Sequence, residues 1–294
     1  MADVDAVGSA WHAEQLLVTR LADLEQHLRR YRSMLVAFSG GADSALLLAA
    51  AVRALGVEQT VAATAWSPSL PEAERQAATA YCASLGVRHV TPRTHELDRA
   101  GYRANSGARC GHCKSELLDT LSPLADELGL AVVATGTNAD DAVAGFRPGI
   151  AAAAARGAVT PLRDVGLTKA QVREASRRWG LSTWDKPAAA CLSSRIAYGV
   201  PVDREGLRRV ERAEVGLRRA LGESGIVVRD LRVRDLGADR ARVEVDEDAV
   251  APVSLSAAAT AAIQEAGFTV VEVDPRGFRS GSMNELLPDP ARWR

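Results

Sequence analysis

The stretch VAFSGGADSALLLAAA, residues 36–51, decides the fold. Apolar residues typical of a buried strand lead into Gly40 and Gly41, and then into an alanine- and leucine-rich run that predicts a helix beginning near Ser44. The two glycines let the backbone approach a ligand closely, and the start of a helix offers unpaired N–H groups and a positive dipole end. The bend therefore predicts a phosphate site, with a tight turn that holds no ligand as the alternative.

Four apolar, strand-like runs alternate with segments of helical period. They occupy residues 34–39, 60–66, 87–92 and 130–136, and an amphipathic helix over residues 10–31 precedes them. This alternation predicts a parallel sheet with helices on both faces. Ligands of such folds sit at the carboxyl ends of the strands, so the stretches SGGADS, WSPSLPE and TGTNADD are expected to surround one crevice.

The pattern changes beyond residue 200. An arginine-rich helix over residues 203–221 is followed by strands at 230–237 and 240–247, a helix near 254–266 and a last strand at 268–274. We therefore predict the α/β class, with a parallel-sheet domain over residues 1–199 and a smaller C-terminal α+β domain over residues 200–294.

Composition indicates an ordinary globular protein. The 294 residues are 47% hydrophobic and carry a formal net charge of -1, without the positive excess that general nucleic-acid binding needs. The sequence shows neither a signal peptide nor an apolar run of membrane-spanning length, so we expect a cytoplasmic protein without a membrane or nucleic-acid partner. The four cysteines are then expected to serve metal, cluster or catalytic chemistry rather than disulfides.

The six residues SGGADS, 39–44, resemble the PP-loop (Ser-Gly-Gly-x-Asp-Ser) of the ATP pyrophosphatase superfamily, whose members split ATP into AMP and pyrophosphate to activate a carboxylate or carbonyl. The stretch is neither a Walker A loop nor a Gly-x-Gly-x-x-Gly fingerprint. The resemblance implies that the leaving pyrophosphate is bound by Ser39, Gly40, Gly41 and Ser44. It also implies that Asp43 helps to place Mg²⁺, a hard cation suited to carboxylate and phosphate oxygens.

The stretch TGTNADD, residues 135–141, stands at the end of another predicted strand. Nucleotide contact is expected there from Gly136, Thr137 and Asn138, and Asp140 is expected to assist Asp43 in holding Mg²⁺.

Further motifs follow in an order and spacing that resemble the LarE family over nearly the whole chain, from about residue 15 to 287. They are RCGHCK, TGTNADD, GFRPG, GLTKAQVR, WDKPAAACLSSRIAYG and GFRSGSMNE. LarE proteins adenylylate the carboxylates of pyridinium-3,5-biscarboxylic acid mononucleotide and convert them to thiocarboxylates, which later bind nickel in the cofactor of lactate racemase. The resemblance implies the same activity here, with ATP and Mg²⁺ as requirements. The sulfur donor and a homo-oligomeric state are left open.

Cys110 and Cys113 form a C-x-x-C at the start of a predicted helix, and Cys191 follows in the loop before the second domain. Three interpretations compete. Zinc would need a fourth ligand from His112, His89 or His95. In a second, Cys191 alone gives up its sulfur and becomes dehydroalanine, as the equivalent cysteine does in some LarE proteins.

The third interpretation is a [4Fe-4S] cluster on the three thiolates, with one iron open to carry hydrosulfide. Other LarE proteins with this cysteine set resemble cluster enzymes, and we therefore expect the cluster. Cys82, within an apolar helical pattern, is expected to be a core residue.

The phosphate and carboxylates of the expected substrate call for arginine, which binds both groups bidentately. Arg195 is the best candidate. Arg232 and Arg234 alternate along a predicted strand and so share a face, either as an anion site or as an exposed, salt-bridged surface. Glu214 matches an acidic position of the family less securely.

The remaining polar residues have open roles. Trp184, Asp185 and Lys186 precede the loop that carries Cys191, here called the sulfur loop. They either pack and cap or contact substrate or ATP. Arg109 and Lys114 flank the cysteine pair and could balance a cluster's charge or bind substrate.

Two other functions compete with sulfur insertion into the mononucleotide. A tRNA thiolase can also combine a PP-loop with three cysteines, but the near-neutral charge and the WDKPAAACLSSRIAYG and GSMNE motifs argue against it. A non-enzymatic ATP-binding protein is disfavoured by the density of polar residues at the predicted strand ends.

Overall fold

The computed structural model of the chain describes residues 2–143, 148–187 and 191–287. Most of the GFRPG motif and residues 188–190 of the sulfur loop therefore lie outside the described residues. The helices are α1 (Ala2–Leu28), α2 (Ala42–Leu55), α3 (Glu72–Ser84), α4 (Ala100–Arg103), α5 (Arg109–Glu127), α6 (Ala139–Val143), α7 (Pro148–Ala154), α8 (Pro161–Asp164), α9 (Lys169–Arg178), α10 (Arg204–Glu223), α11 (Val250–Ser254) and α12 (Ala257–Glu265). The strands are β1 (Met34–Ala37), β2 (Thr60–Ala63), β3 (Arg88–Val90), β4 (Val132–Thr135), β5 (Leu231–Asp235), β6 (Arg240–Val245) and β7 (Val270–Val273).

The predicted α/β class is confirmed, since four parallel strands form one sheet in the order β3-β2-β1-β4 and three others form a separate sheet. Strand β1 shows why both faces of the first sheet are covered. Met34 and Val36 pack into one apolar cluster, whereas Leu35 and Ala37 pack into another. Because side chains alternate along a strand, a continuous apolar run is what a strand buried on both faces requires.

The strand order places a crevice beside β1. From β1 the chain adds β2 and β3 on one side and then returns to add β4 on the other, so its direction of winding reverses between β1 and β4. Ligands of open α/β sheets bind at such a switch point, outside the carboxyl ends of the strands. The loops that follow β1 and β4 are residues 38–41 and 136–138, and they contain residues for which the sequence predicts phosphate and nucleotide contact.

Helix α2 begins at Ala42, two residues before the predicted start, with Gly41 as its N-cap and no side-chain cap. Its alanines and leucines are buried from Ser44 to Ala51. A helix that is apolar all round belongs in a core, and this burial fixes the amino end of α2 behind β1.

The second sheet has the order β5-β6-β7, with β5 antiparallel and β7 parallel to β6. Helix α10 packs onto it through an apolar stripe at helical spacing, and Asp203 caps its first turn by accepting the Gly206 N–H at 2.7 Å. The stripe consists of Leu207, Val210, Ala213, Leu217 and Leu221.

By its internal contacts the chain divides into two units. Unit 1 comprises Met1–Trp66, Glu72–Thr94 and Lys114–Ala189, and unit 2 comprises Ser67–Pro71, His95–Cys113 and Ala190–Arg294. A division by contacts does not establish which segments fold independently, so the predicted boundary at residue 200 stays a prediction. Within the described ranges, no helix combines the length and the apolar character needed to cross a membrane.

Candidate functional site

The glycine loop, residues 39–44, turns the chain from β1 into α2 in unit 1. Gly40 has a positive φ of 74°, a conformation that favours glycine. The Ser39 and Ser44 hydroxyl oxygens lie 3.1 Å apart, and the Gly41 N–H donates to Ser39 Oγ at 3.4 Å. Two hydroxyls and a backbone N–H thus converge at the amino end of α2.

Gly136, directly after β4, packs against the same helix end. A Cβ at this position would lie 2.7 Å from Ser44 N and 3.0 Å from the Asp43 carbonyl carbon. Only glycine fits there without moving the first turn of α2. An anion on the amino end of α2 fits this arrangement, because the N–H groups of the first turn have no side-chain cap.

Asp43 stands in the first turn of α2 and accepts a hydrogen bond from Asn138 Nδ2 at 3.0 Å. Burial raises the pKa of Asp43, while the Asn138 hydrogen bond and the charges of Lys169 and Arg173 act in the opposite direction. A bound cation would offset the cost of holding this carboxylate charged. The residues therefore fit a Mg²⁺ ligand at Asp43, oriented by Asn138.

The structure gives the other predicted nucleotide-site residues definite contacts. The Thr137 hydroxyl oxygen lies 3.2 Å from the Thr135 hydroxyl oxygen, and the Thr137 carbonyl accepts the Arg163 backbone N–H. Asp140 accepts the Lys169 backbone N–H at 2.8 Å at the start of α9. Its predicted role as a Mg²⁺ ligand stays a prediction.

Lys186 contacts the glycine loop. Its ammonium donates to the Gly40 carbonyl at 3.0 Å and to Glu74 Oε2 at 2.6 Å. Trp184 and Asp185 are exposed, and the Trp184 and Lys186 carbonyls accept hydrogen bonds from Arg173. The sequence analysis assigned no role to Glu74, which stands outside every motif, or to Arg173, although Arg173 ends the GLTKAQVR motif.

The predicted cysteine set, Cys110, Cys113 and Cys191, lies in unit 2 together with Arg109. Arg109 is 5% exposed and interacts electrostatically with Cys191 and Cys110. Burial lowers the pKa of Arg109, but the two thiols, Tyr198 and Tyr102 outweigh it and raise the pKa overall. This buried cation favours thiolates in its surroundings.

Tyr102 interacts electrostatically with Cys113, the one cysteine of the set not yet linked to Arg109, and also with Cys191. Its pKa is raised by burial first and then by the negative charge of Cys191 and Cys113. Its hydroxyl is hydrogen-bonded to Ser193 Oγ. All three cysteines therefore act on a pair of buried side chains, Arg109 and Tyr102, in one unit.

The loop that carries Cys191 is held by three guanidinium groups through its carbonyl oxygens. Arg195 donates to the Cys191 carbonyl at 3.1 Å, Arg109 to that of Ser193 at 2.8 Å and Arg234 to that of Ser194 at 3.2 Å. These contacts fix the backbone at Cys191 and within the short 3₁₀ turn that follows it, Leu192–Arg195. Arg109 therefore has a loop-holding role in addition to its charge.

Arg195 and Glu214, both predicted site residues, form a bidentate ion pair. Arg195 Nε and Nη2 donate to the two Glu214 carboxylate oxygens at 2.9 and 3.2 Å. Glu214 Oε1 also accepts the Val233 N–H at 3.1 Å. The pair joins the sulfur loop, α10 and β5 within unit 2.

Arg232 and Arg234 are 7% and 5% exposed, so the exposed surface that the alternative expected is wrong, although Arg234 does form an ion pair. Arg234 pairs with buried Glu244 at 2.6 Å, and Ser282 of the GSMNE motif donates to the other Glu244 oxygen at 2.8 Å. Burial lowers the pKa of Arg232 first, and the positive charges of Arg195 and Arg234 lower it further. An incoming anion would relieve this repulsion.

The histidines proposed for zinc make other contacts. The His112 ring packs on Gly101, where a Cβ would lie 2.2 Å from its Nε2, and His89 Nε2 is hydrogen-bonded to the Thr64 hydroxyl at 2.8 Å. His95 lies beside Asp98. No three His, Cys, Asp or Glu side chains of the described ranges converge on a single metal-ion position. A cluster spreads its ligands over several irons, so the three thiols remain a suitable donor set for one.

Cys82 is 1% exposed, and burial raises the pKa of its thiol to about 12, as befits a core residue. Lys114 is half-buried on α5, and its predicted alternatives stay predictions. Ser282, Glu244 and Tyr102 are site residues that the sequence reasoning missed. Ser282 stands in a motif that had been noticed, whereas the other two carry no local signal.

Two curated proteins match nearly the full length of this chain. An uncharacterised protein of Synechocystis sp. is 41% identical over 276 residues, which cover 92% of this chain and 99% of that protein. The pyridinium-3,5-bisthiocarboxylic acid mononucleotide synthase of Lactiplantibacillus plantarum is 30% identical over 272 residues, covering 92% of this chain and 96% of the synthase. No protein-family model matches the sequence.

Proposed function

The chain belongs to the family of the pyridinium-3,5-bisthiocarboxylic acid mononucleotide synthase, the LarE family, and we propose that it is an ATP-dependent sulfurtransferase acting on pyridinium-3,5-biscarboxylic acid mononucleotide. The observation that carries this proposal is the match to a synthase of that name over 92% of the chain and 96% of the synthase. The product would supply the nickel-binding thiocarboxylates of the lactate racemase cofactor.

The first step would be activation of a carboxylate by ATP in unit 1. A carboxylate oxygen of the substrate attacks the α-phosphorus, an O–P bond forms, and the bond to the β-phosphate breaks to release pyrophosphate. Pyrophosphate binding at the glycine loop is supported by the uncapped N–H groups of α2 and by the Ser39 and Ser44 hydroxyls, while the close packing of Gly136 holds the first turn of α2 in place. Asp43 would hold the Mg²⁺ that neutralises the leaving charge.

The substrate's own anionic groups would be bound in unit 2 by Arg195, Arg232 and Arg234. Two of these arginines are already oriented by carboxylates, Arg195 by the partly buried Glu214 and Arg234 by the buried Glu244. The lowered pKa of Arg232 supports this assignment, because a phosphate or carboxylate beside it would stabilise the protonated guanidinium. Glu214 then acts by positioning Arg195 rather than by contacting substrate.

The second step would be attack of a sulfur nucleophile on the acyl-adenylate carbonyl, forming a C–S bond and releasing AMP. We propose that Cys110, Cys113 and Cys191 hold a [4Fe-4S] cluster, which when bound would supply the hydrosulfide on its open iron. Arg109 and Tyr102, both buried among these thiols, support a shared anionic site by placing a cation and a hydroxyl there. Use of the Cys191 sulfur alone remains the competing mechanism.

The experiment is anaerobic incubation of the purified protein with the biscarboxylic acid mononucleotide, ATP, Mg²⁺ and sulfide. We expect pyrophosphate and AMP in equal amounts and a substrate mass changed by oxygen-to-sulfur exchange. Arg156→Met is a matched control, because in the described part of the chain its side chain bonds to Asp119 and to the Ala152 carbonyl, neither of which belongs to either site.

Two results would contradict the proposal. ADP and orthophosphate as products would remove the pyrophosphatase chemistry. An unchanged mononucleotide together with thiolated tRNA would favour a tRNA thiolase.

A further inference from the structure

Lys186 reaches the glycine loop from outside and bridges two negatively polarised groups. Its Nζ lies 3.0 Å from the Gly40 carbonyl oxygen and 2.6 Å from Glu74 Oε2, and both ion-pair side chains are 21% exposed. The pair is packed on Gly40 itself, since a Cβ there would lie 3.6 Å from Glu74 Oε2 and 3.7 Å from Lys186 Nζ. This side of the loop is therefore occupied by the ion pair.

The contact fixes the direction of one peptide group. In a trans peptide the C=O and N–H point in opposite directions. With the Gly40 carbonyl turned towards Lys186, the Gly41 N–H is turned towards Ser39 Oγ, which lies 3.4 Å away beside the Ser44 hydroxyl. The donor thus faces the hydroxyl side of the loop, where the proposed phosphate would bind.

Without the lysine this orientation would be weakly specified. The peptide joins two glycines, and glycine tolerates the backbone changes that a half-turn of the peptide requires. Loss of the cation would also leave the Glu74 carboxylate near the Gly40 carbonyl, two groups of like polarity. A half-turn would relieve this repulsion but would present a carbonyl oxygen to the phosphate, which also carries negative charge.

Lys186 is itself held by α9. Arg173 donates to the Trp184 carbonyl at 3.0 Å and to the Lys186 carbonyl at 2.8 Å. Lys186 is therefore held at its backbone by Arg173 of α9 and at its ammonium by the glycine loop, so it connects the two elements.

We propose that the Lys186–Glu74 pair is a brace that fixes the Gly40–Gly41 peptide with its N–H towards the phosphate, so that Lys186 is a positioning residue and not a phosphate ligand. The inference rests on the proposed use of ATP. It assigns to the WDKP segment the task of pre-organising the loop for binding.

The test compares Lys186→Met, Lys186→Arg and Glu74→Gln by calorimetric binding of Mg-ATP and by thermal unfolding, with Arg156→Met as the control ion-pair variant in the same unit. We expect Lys186→Met to weaken Mg-ATP binding on the order of tenfold to a hundredfold, the range for a hydrogen bond from a charged group. Lys186→Arg should restore most of the affinity, and Glu74→Gln should weaken binding several-fold. The unfolding temperature of all three should stay close to that of the wild type.

The sign of the Glu74→Gln effect is decisive. If Lys186 were a phosphate ligand that Glu74 holds back, removing the carboxylate charge would tighten Mg-ATP binding and overturn the brace. Unchanged affinity in Lys186→Met would overturn it too. If the wild type bound no Mg-ATP, the proposed function would fail by itself. Ligand-free crystal structures would then test the brace. It requires the Gly40–Gly41 peptide to be turned in Lys186→Met relative to the wild type, and an unchanged peptide would overturn it.

Discussion

Gly136→Ala tests whether β4 and α2 are pressed together to build the nucleotide site. The added Cβ would lie 2.7 Å from Ser44 N, 2.9 Å from Ser44 Cα and 3.0 Å from the Asp43 carbonyl carbon. All three are backbone atoms of the first turn of α2, so no flexible side chain can yield. Either the helix start or the end of β4 must move.

The cost follows from that geometry. Forcing a methyl group into a packed site typically costs about 1–3 kcal/mol. Because the moved atoms are the proposed phosphate donors, part of this cost should appear as lost Mg-ATP affinity, about tenfold for each 1.4 kcal/mol. The rest should lower the unfolding temperature, by about 2–4 °C for each kcal/mol in a unit of this size.

The assay is thermal unfolding with and without Mg-ATP, together with calorimetric Mg-ATP binding. Gly222→Ala is the matched control, because the residue lies within α10 and, among the described residues, a Cβ there meets no atom within 4 Å apart from its chain neighbours and its own helix backbone. Alanine should stabilise that helix by about 0.5–1 kcal/mol without changing Mg-ATP affinity. A Gly136→Ala variant with wild-type stability and affinity would refute the reasoning.

Three further predictions concern the charged and sulfur-bearing groups. Asp43→Asn should abolish pyrophosphate release yet stabilise the ligand-free protein near neutral pH. Burial raises the pKa of Asp43, so its ionisation costs stability as pH rises from the ordinary carboxyl pKa to the raised one. A variant less stable than the wild type in a pH series would contradict this. Glu244→Gln should destabilise unit 2 by about 3–5 kcal/mol in chemical denaturation, because it breaks the buried ion pair and leaves Arg234 charged, without a carboxylate, at 5% exposure. A cost near that of an exposed ion pair would contradict this reasoning. Alanine at any one cysteine of the proposed cluster should lose iron and turnover together, whereas Cys82→Ala should lose neither. Dehydroalanine at residue 191, with at most one sulfur transferred per chain, would restore the sacrificial mechanism. The cluster cysteines are Cys110, Cys113 and Cys191.

Local signals in the sequence predicted the elements and the kind of site. The four strands of the first sheet fall within their predicted runs, because a short apolar run between turn residues is typical of a buried strand. Boundaries were less exact: α2 begins two residues earlier than expected, the helix expected near residues 254–266 is Ala257–Glu265, and the short helix Val250–Ser254 before it was not predicted.

Pairings between distant residues were not predictable from the sequence. Lys186 stands 112 residues from Glu74, and Arg195 stands 19 residues from Glu214. A charged residue in a motif shows that charge is needed, but its partner depends on which elements pack together. The burial of Arg232 and Arg234 likewise follows from what covers β5. The alternating residue pattern of the strand predicts that the two arginines share a face, but not what packs on that face.

By itself, therefore, the sequence determined the order of strands and helices, the glycine loop between β1 and α2, and the cysteine set, because glycine, cysteine and hydrophobic period act within a few residues of chain. Tertiary structure decided the strand order that sets the loops after β1 and β4 side by side, the contact of Gly136 with the first turn of α2, and the direction in which Lys186 turns the Gly40 peptide. These depend on packing between segments far apart in the chain, where the energy of a contact is set by geometry that no short stretch encodes.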